Sequence, residues 1–322
     1  MEFMPDFEVK YPKTVDEAVV LAKQEGAVFL AGGTDLLANL RRGIGDPTIV
    51  VDLTKIDELS SISETKDGLR IGAGVTLNQL LSSEHITNDF NVIAEAASTI
   101  AGTTHQYSAT VGGNLCLDTR CQYYNQSHWW RSANDFCLKY KGDICHVAPK
   151  GKVCRAAFSG DLAPAMLLHR AEAELVSIEG SRTIDLADMY QEDGANSLML
   201  LPGELLVAIK ITKLQGYKTA YKKMRVRGGV DFPLAGVAMA TLGTADKIED
   251  LRIAYTGTNS QPIRLTGLEE LNGKSLDENT LKMLRKILFK QIMPMRSTFT
   301  PSTYRRKVAV NLTYRLAKEL LE

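Results

Sequence analysis

The sequence predicts an α+β protein of two domains. Three observations carry that expectation. The chain has 322 residues, and single domains cluster at roughly 100–150. Helical and strand-like segments alternate through roughly the first hundred residues, as in mixed α and β layers. From residue 217 onward, three strand-like runs precede two long helical runs, the order of a small antiparallel sheet packed on helices.

The elements follow in turn. Thr14-Val15-Asp16-Glu17 is a capping-box pattern, and Ala18, Leu21 and Ala22 continue one apolar helical face up to a stop at Gly26. Residues 27–30 read as a short buried strand, 31–35 as a glycine turn, 36–42 as a helix and 48–53 as a β-branched strand. Residues 68–74 read as a strand and 89–101 as a helix. Residues 105–160 fit neither period and read as a structured excursion. A helix at 162–168 and strands at 173–178 and 205–211 follow. Lys213-Leu214-Gln215-Gly216 is the boundary, giving domains 1–213 and 214–322, the first holding an inserted loop at about 115–155. Beyond it, 217–227, 234–242 and 251–256 read as strands of one sheet, and 276–292 and 301–321 as helices.

Composition narrows the function classes. Hydrophobic residues make up 44% and charged residues 24%, which excludes a disordered chain. The 38 basic and 38 acidic side chains cancel, so no global field draws the chain to nucleic acid or to an anionic membrane. No apolar run approaches the ~20 residues of a membrane span. Met1-Glu2-Phe3-Met4-Pro5-Asp6 is acidic and lacks a signal-peptide core, so a cytoplasmic location is expected. No G-x-S-x-G, P-loop or H-x-x-x-H pair is present, so hydrolase and ATPase readings have no support.

Three glycine turns are candidate ligand cradles. Ala31-Gly32-Gly33-Thr34-Asp35 lies between a strand and a helix, where backbone N–H groups can meet a phosphate; a tight turn with an N-cap is the plainer reading. It is not G-x-G-x-x-G, so a Rossmann fingerprint has no support. Thr110-Val111-Gly112-Gly113-Asn114 repeats the chemistry, and Gly160-Asp161-Leu162-Ala163-Pro164-Ala165 reads equally as a helix cap.

In this order, the three turns resemble the FAD-binding medium subunits of the xanthine oxidase (molybdenum hydroxylase) family. Tyr221-Lys222-Lys223-Met224-Arg225 and Asp231-Phe232-Pro233-Leu234-Ala235 extend the resemblance, which covers nearly the whole chain. It implies an FAD domain of the vanillyl-alcohol-oxidase (PCMH-like) type with two α+β subdomains, followed by the C-terminal domain typical of these medium subunits. It also implies roles. Ala31, Gly32, Gly33, Thr34 and Asp35 would hold the FAD pyrophosphate. Thr110, Gly112, Gly113 and Asn114 would line the flavin and pyrophosphate, and Asp161 would bind the ribityl or adenosine side. Leu206 would pack on the isoalloxazine, and Lys222 would approach its polar edge. His105-Gln106-Tyr107 stand where many members carry an Arg-Asn type of pair.

All five cysteines fall between Cys116 and Cys154, an odd count that argues against a disulfide scaffold. Cys121, Cys137, Cys145 and Cys154 are separated by 15, 7 and 8 residues, without a C-x-x-C pair. Four gathered thiolates can hold Zn²⁺ or a [4Fe–4S] cluster, and buried free thiols are the plainer alternative. The resemblance goes further here. Most family members have only a short connection between the positions of Asn114 and Asp161. The insert's runs Asp118-Thr119-Arg120-Cys121, Tyr124-Asn125-Gln126-Ser127, Trp129-Trp130-Arg131-Ser132 and 137–143 resemble the 4-hydroxybenzoyl-CoA reductase branch. That branch carries an extra [4Fe–4S] cluster on four cysteines matching Cys121, Cys137, Cys145 and Cys154, with Cys116 outside the set. Tyr123, Tyr124, Trp129, Trp130 and Phe136 would shield it. The branch implies electron relay from reduced ferredoxin through [4Fe–4S] and FAD to [2Fe–2S] clusters in a small subunit. A molybdenum-cofactor large subunit would then convert 4-hydroxybenzoyl-CoA to benzoyl-CoA. Another molybdenum hydroxylase, or a zinc-binding scaffold, remains open.

His146, next to Cys145, is a candidate to support the ligands from behind, and Arg305-Arg306-Lys307 reads as a solvated helix face.

Overall fold

A computed structural model describes residues 4–322, so Met1, Glu2 and Phe3 of the acidic start lie outside the described residues. Three sheets build the chain. The first is parallel, in the order β1-β3-β2, from β1 (Glu8–Lys10), β2 (Ala27–Leu30) and β3 (Ile49–Asp52). Helix α1 (Val15–Ala22) packs Val15, Ala18 and Val19 against Val51 of that sheet. The α1 cap differs in half from the capping box. Thr14 accepts from Glu17 N, but the Glu17 carboxylate reaches Lys13 N at 2.7 Å instead of the Thr14 amide. Helix α2 (Leu36–Leu40) leaves the first glycine turn.

The second sheet is antiparallel, in the order β4-β5-β8-β6-β7, from β4 (Ile62–Glu64), β5 (Gly68–Gly72), β6 (Glu172–Ser177), β7 (Gly180–Asp185) and β8 (Leu205–Thr212). A bulge sits in β8, because Glu174 pairs with Ala208 while Leu175 pairs with Leu206. The extra residue, Val207, shifts parity. Leu206 therefore shares the large core with Ile209 and Ile211, while Leu205 and Val207 face α1. The expected helix at 89–101 is α5 (Asn91–Ser98), preceded by two short helices, α3 (Leu77–Ser82) and α4 (Glu84–Asp89). The excursion holds α6 (Thr103–Gln106), α7 (Val111–Leu115) and α8 (His128–Ala133). Helix α9 (Leu162–Leu168) follows, with every residue buried.

The third sheet, β12-β11-β10-β9, is antiparallel, from β9 (Lys218–Met224), β10 (Ala235–Gly243), β11 (Ile248–Thr256) and β12 (Ile263–Arg264). Period-two alternation gives its faces different side-chain sizes. Ala238, Ala240, Ala254 and Tyr221 join the core around α5 and α9. Val237, Met239, Ile253 and Tyr255 pack on α10 (Glu278–Gln291) and α11 (Ser302–Leu321) through Leu284, Leu288, Leu312 and Leu316. Small residues on the inner face let two helices approach closely. Arg305 corrects the solvated-face reading of 305–307. It is fully buried and donates to Leu234 O, Met295 O, Ser297 Oγ and Gly257 O.

One buried ion pair crosses between the first core and the third sheet. Asp161, at the start of α9, lies 2.9 Å from Lys223 Nζ and accepts from Tyr221 Oη. Burial pushes the Asp161 carboxyl up; the Lys223 charge and the Tyr221 hydrogen bond pull it back. Removing one partner of such a pair leaves an uncompensated buried charge. Lys223→Met is expected to destabilise the fold by about 3–5 kcal/mol in urea unfolding. Asp161→Asn combined with Lys223→Met is expected to recover most of that loss; a double variant as weak as the single one would count against the pair.

Candidate functional site

The three glycine turns meet in series. A Cβ on Gly32 would stand 1.8 Å from Ser108 O, so the first turn touches the backbone leading into the second. Gly33 has φ +69°, a left-handed conformation that favours glycine. Among the described residues, the N–H groups of Gly32, Gly33, Thr34 and Asp35 donate to no other group of the chain. Four successive free N–H groups ahead of α2 form an anion-binding concavity. In the second turn, Thr110 Oγ1 accepts from Gly113 N at 3.1 Å and caps α7. Asn114 Oδ1 accepts from Leu162 N at 3.0 Å, and a Cβ on Gly160 would stand 2.4 Å from Asn114 O. Asn114, not Asp161, therefore caps α9, and the Asp161 carboxylate is free to bind Lys223.

Leu206 is buried in the first core, one strand from the second turn: Gly112 N donates to Ala73 O, and Ala73 N to Val207 O. Lys222 lies on the outer face of β9, 3.0 Å from Glu319 of α11. The parity of β9 gives the face toward Asp161 to Lys223, a residue the sequence reading passed over. The turns thus present backbone donors suited to a pyrophosphate, which fits FAD.

The insert closes at a neck. Arg120 N donates to Ala157 O at 2.7 Å and Ala157 N to Arg120 O at 2.8 Å. The Arg120 guanidinium pairs with Asp35 of the first turn and lies 4.5 Å over the Phe232 ring. Burial lowers the Arg120 pKa to about 10. Asn39 Nδ2 also reaches Asp35, at 3.0 Å, and Ile44, just past α2, packs on Cys121, Cys137 and Cys154. Helix α2 therefore has the first glycine turn at one end and the cysteine site at the other.

Cys121, Cys137, Cys145 and Cys154 all line one cavity of about 10 Å³, together with Tyr123, Tyr124, Leu138, Lys139, His146 and Val147. That is room for about one water, so a multinuclear centre requires the walls to part. Cys145 accepts from the Cys154 thiol and from the N–H groups of Arg155, Ala148 and Val147, which bring it down to about 5. Cys154 is pushed up as the donor of that pair and by burial. Burial pushes Cys121 up to about 11. Among the described residues, no three His, Cys, Asp or Glu side chains gather closely enough for a single metal ion. Cys116 lies elsewhere, packed against the first core beyond α7, and burial raises it to about 12.

The surrounding aromatics divide. Tyr123 and Tyr124 line the cavity, Trp130 packs on Tyr123 at 6.3 Å, and Phe136 packs on Tyr140 at 5.7 Å. Trp129 is 75% exposed and shields nothing. His146 lines the cavity, with its ring 5.1 Å from Tyr123 and its Nε2 against Phe136 O. Asp135, Phe136 and Lys141 have positive φ, so the turn around Cys137 is strained.

Comparison with known proteins agrees with this layout. Residues 5–213 match the FAD binding domain in molybdopterin dehydrogenase, and residues 219–320 match the CO dehydrogenase flavoprotein C-terminal domain. The aldehyde oxidoreductase FAD-binding subunit PaoB of Escherichia coli (strain K12) is 35% identical over 246 residues, covering 73% of this chain and 77% of that protein. The glyceraldehyde dehydrogenase medium chain of Sulfolobus acidocaldarius is 26% identical over 320 residues, covering 99% of each. In three dimensions, the reconstituted CO dehydrogenase from Oligotropha carboxidovorans superposes with a TM-score of 0.80 at 26% identity, covering 99% of both chains. The chain belongs to the FAD-binding medium subunits of the xanthine oxidase and CO dehydrogenase family of molybdenum hydroxylases, and is an oxidoreductase subunit.

Proposed function

We propose that this chain is the FAD and [4Fe–4S] subunit of a three-subunit molybdenum enzyme of the 4-hydroxybenzoyl-CoA reductase type. The net reaction consumes two electrons and two protons, removes the phenolic hydroxyl as water and leaves benzoyl-CoA. The donor is a reduced ferredoxin, and the partners are a [2Fe–2S] small subunit and a molybdenum-cofactor large subunit. The observation that carries the reading is the convergence of four insert cysteines on one cavity.

The donor chemistry fits an iron–sulfur centre. All four candidate ligands are soft sulfur, and no carboxylate lines the cavity. Among the described residues no three of these side chains gather closely enough to hold a single metal ion such as a tetrahedral Zn²⁺. Each positive φ at 135, 136 and 141 costs about 1–3 kcal/mol, which the surroundings must offset. The insert's own apolar cluster is small and includes three of the cysteines, so metal binding supplies folding energy that its core does not. Bound at these sites, FAD would exchange electrons singly or in pairs, and an iron–sulfur centre would pass them one at a time. The chain's part is to hold both groups, with Ala31 to Asp35, Thr110, Gly112, Gly113 and Asn114 at the flavin nucleotide and Cys121, Cys137, Cys145 and Cys154 at the cluster. Leu206 and Asp161 complete the proposed flavin surroundings from β8 and α9. Lys222 would reach the ring only by leaving Glu319.

A second reading is supported by the 35% identity to the aldehyde oxidoreductase subunit: the same cofactor pair serving an aldehyde-oxidising large subunit. Assay of the purified complex with 4-hydroxybenzoyl-CoA plus reduced ferredoxin, and with an aromatic aldehyde plus an oxidant, decides between them.

Three outcomes are expected of the chain itself. Protein purified anaerobically should contain iron and acid-labile sulfide in equal amounts; replacing any one of Cys121, Cys137, Cys145 or Cys154 by Ala should remove the cluster or leave a three-iron form. Cys116→Ala should keep the full iron content, and its loss there would overturn the ligand set. Thr110→Val removes the acceptor for Gly113 N–H and should weaken FAD binding at least tenfold by fluorescence titration; unchanged affinity would remove Thr110 from the flavin site. The chain freed of its partners should reduce no aryl-CoA thioester, and turnover without molybdenum would contradict the subunit role.

A further inference from the structure

Two guanidinium groups are buried with no carboxylate partner among the described residues, one against a wall of the four-cysteine cavity and one holding a loop that reaches it. Arg131, on α8, is 1% exposed. Its one side-chain hydrogen bond is from Nη2 to Gly43 O at 2.6 Å, and its Nε and Nη1 have no partner. Its guanidinium lies 4.7 Å from the Tyr140 ring and 5.9 Å from the ring of Tyr124, a wall of the cavity. Arg305 arrives from α11 in the other domain, fully buried, and donates to neutral oxygens alone. The loop it holds reaches the cysteine site directly, since Gln122 N donates to Ser297 O at 2.8 Å. A third cation, Lys139, lines the cavity itself and is paired with Asp118 at 2.6 Å.

Burying a guanidinium without an anion costs several kcal/mol. The other buried cations near the insert have carboxylate partners: Arg120 has Asp35, and Lys223 has Asp161. Around Arg131 and Arg305 the structure offers ring faces, carbonyls and one hydroxyl. Aromatic faces and carbonyls soften the cost but carry no net charge.

We propose that Arg131 and Arg305, joined by Lys139 at the wall, are the fixed counter-charge of an anionic four-thiolate iron–sulfur centre and raise its reduction potential. The inference rests on the cluster reading given under Proposed function. One-electron reduction by an external low-potential donor adds one negative charge to the centre and moves no other bond. Fixed positive charge in a low-dielectric surrounding favours that more negative state. Arg131 carries the larger share, because two of its nitrogens have no other partner.

The test is an EPR-monitored redox titration of the complete, anaerobically purified protein, with dithionite and mediators, alongside iron analysis. Arg131→Gln and Arg131→Met are each expected to lower the reduced-to-oxidised ratio at a given potential at least tenfold, a fall of 59 mV for one electron. Arg131→Lys keeps the charge and is expected to change the ratio less than twofold. An unchanged midpoint in both neutral variants at full iron content overturns the counter-charge role and leaves the cluster reading standing. Absence of iron from the parent protein overturns the cluster reading itself. If neither neutral Arg131 variant retains iron, Lys139→Gln reads the loss of charge from the cavity wall: a fall supports the proposal, and an unchanged midpoint overturns it.

Discussion

The buried helix α9 is the constraint on which the other parts depend. None of its seven residues is exposed, so it must be enclosed on every side. The enclosing surfaces are the first core, with Val111 and Leu115, and the small inner face of the third sheet, with Ala238, Ala240 and Ala254. Its polar start is held from both directions. Asn114 of the second glycine turn caps it, and Asp161 reaches across to Lys223 and Tyr221. A single helix thereby fixes where the second and third turns sit and how the C-terminal sheet docks. The first turn is then pinned by the absence of a side chain at Gly32 against Ser108.

A second economy links the glycine turns and the cysteine site. Helix α2 is five residues long, with the free N–H groups of the first turn at its start and Gly43 and Ile44 just past its end. Gly43 accepts from Arg131, and Ile44 packs on three of the cysteines. Arg120 makes a parallel link, bonded through the chain to Cys121 and through its guanidinium to Asp35. The cysteine site and the glycine turns are therefore joined by two short connections. The insert, which has little apolar core, gains its anchorage from the same links.

Much of this was legible in the sequence, because it is written in periodicity. The strands at 27–30, 205–212, 218–224 and 235–243, and the two C-terminal helices, stand where alternation and helical spacing place them. The order of the glycine turns was legible as motifs, and the set of four cysteines without Cys116 came from the family resemblance. What escaped the sequence depends on pairing partners. Whether Lys222 or Lys223 faces Asp161 is decided by the register of β9 against β10, which no local pattern encodes. The bulge at Val207, which turns Leu206 inward, has no sequence marker. Arg305 looked like one residue of a solvated basic cluster, and is buried because carbonyls from three distant segments converge on it. Trp129 looked like a shield, but a one-residue step on α8 turns it to solvent while Trp130 packs inward.

The central claim is that the four insert cysteines hold one iron–sulfur centre. The most direct measurement is anomalous X-ray scattering across the iron absorption edge from crystals of the anaerobically prepared protein. The account predicts one compact iron peak enclosed by Cys121, Cys137, Cys145 and Cys154, at a distance from Cys116. Absence of iron scattering there, or a single scatterer that responds at the zinc edge instead, would contradict it.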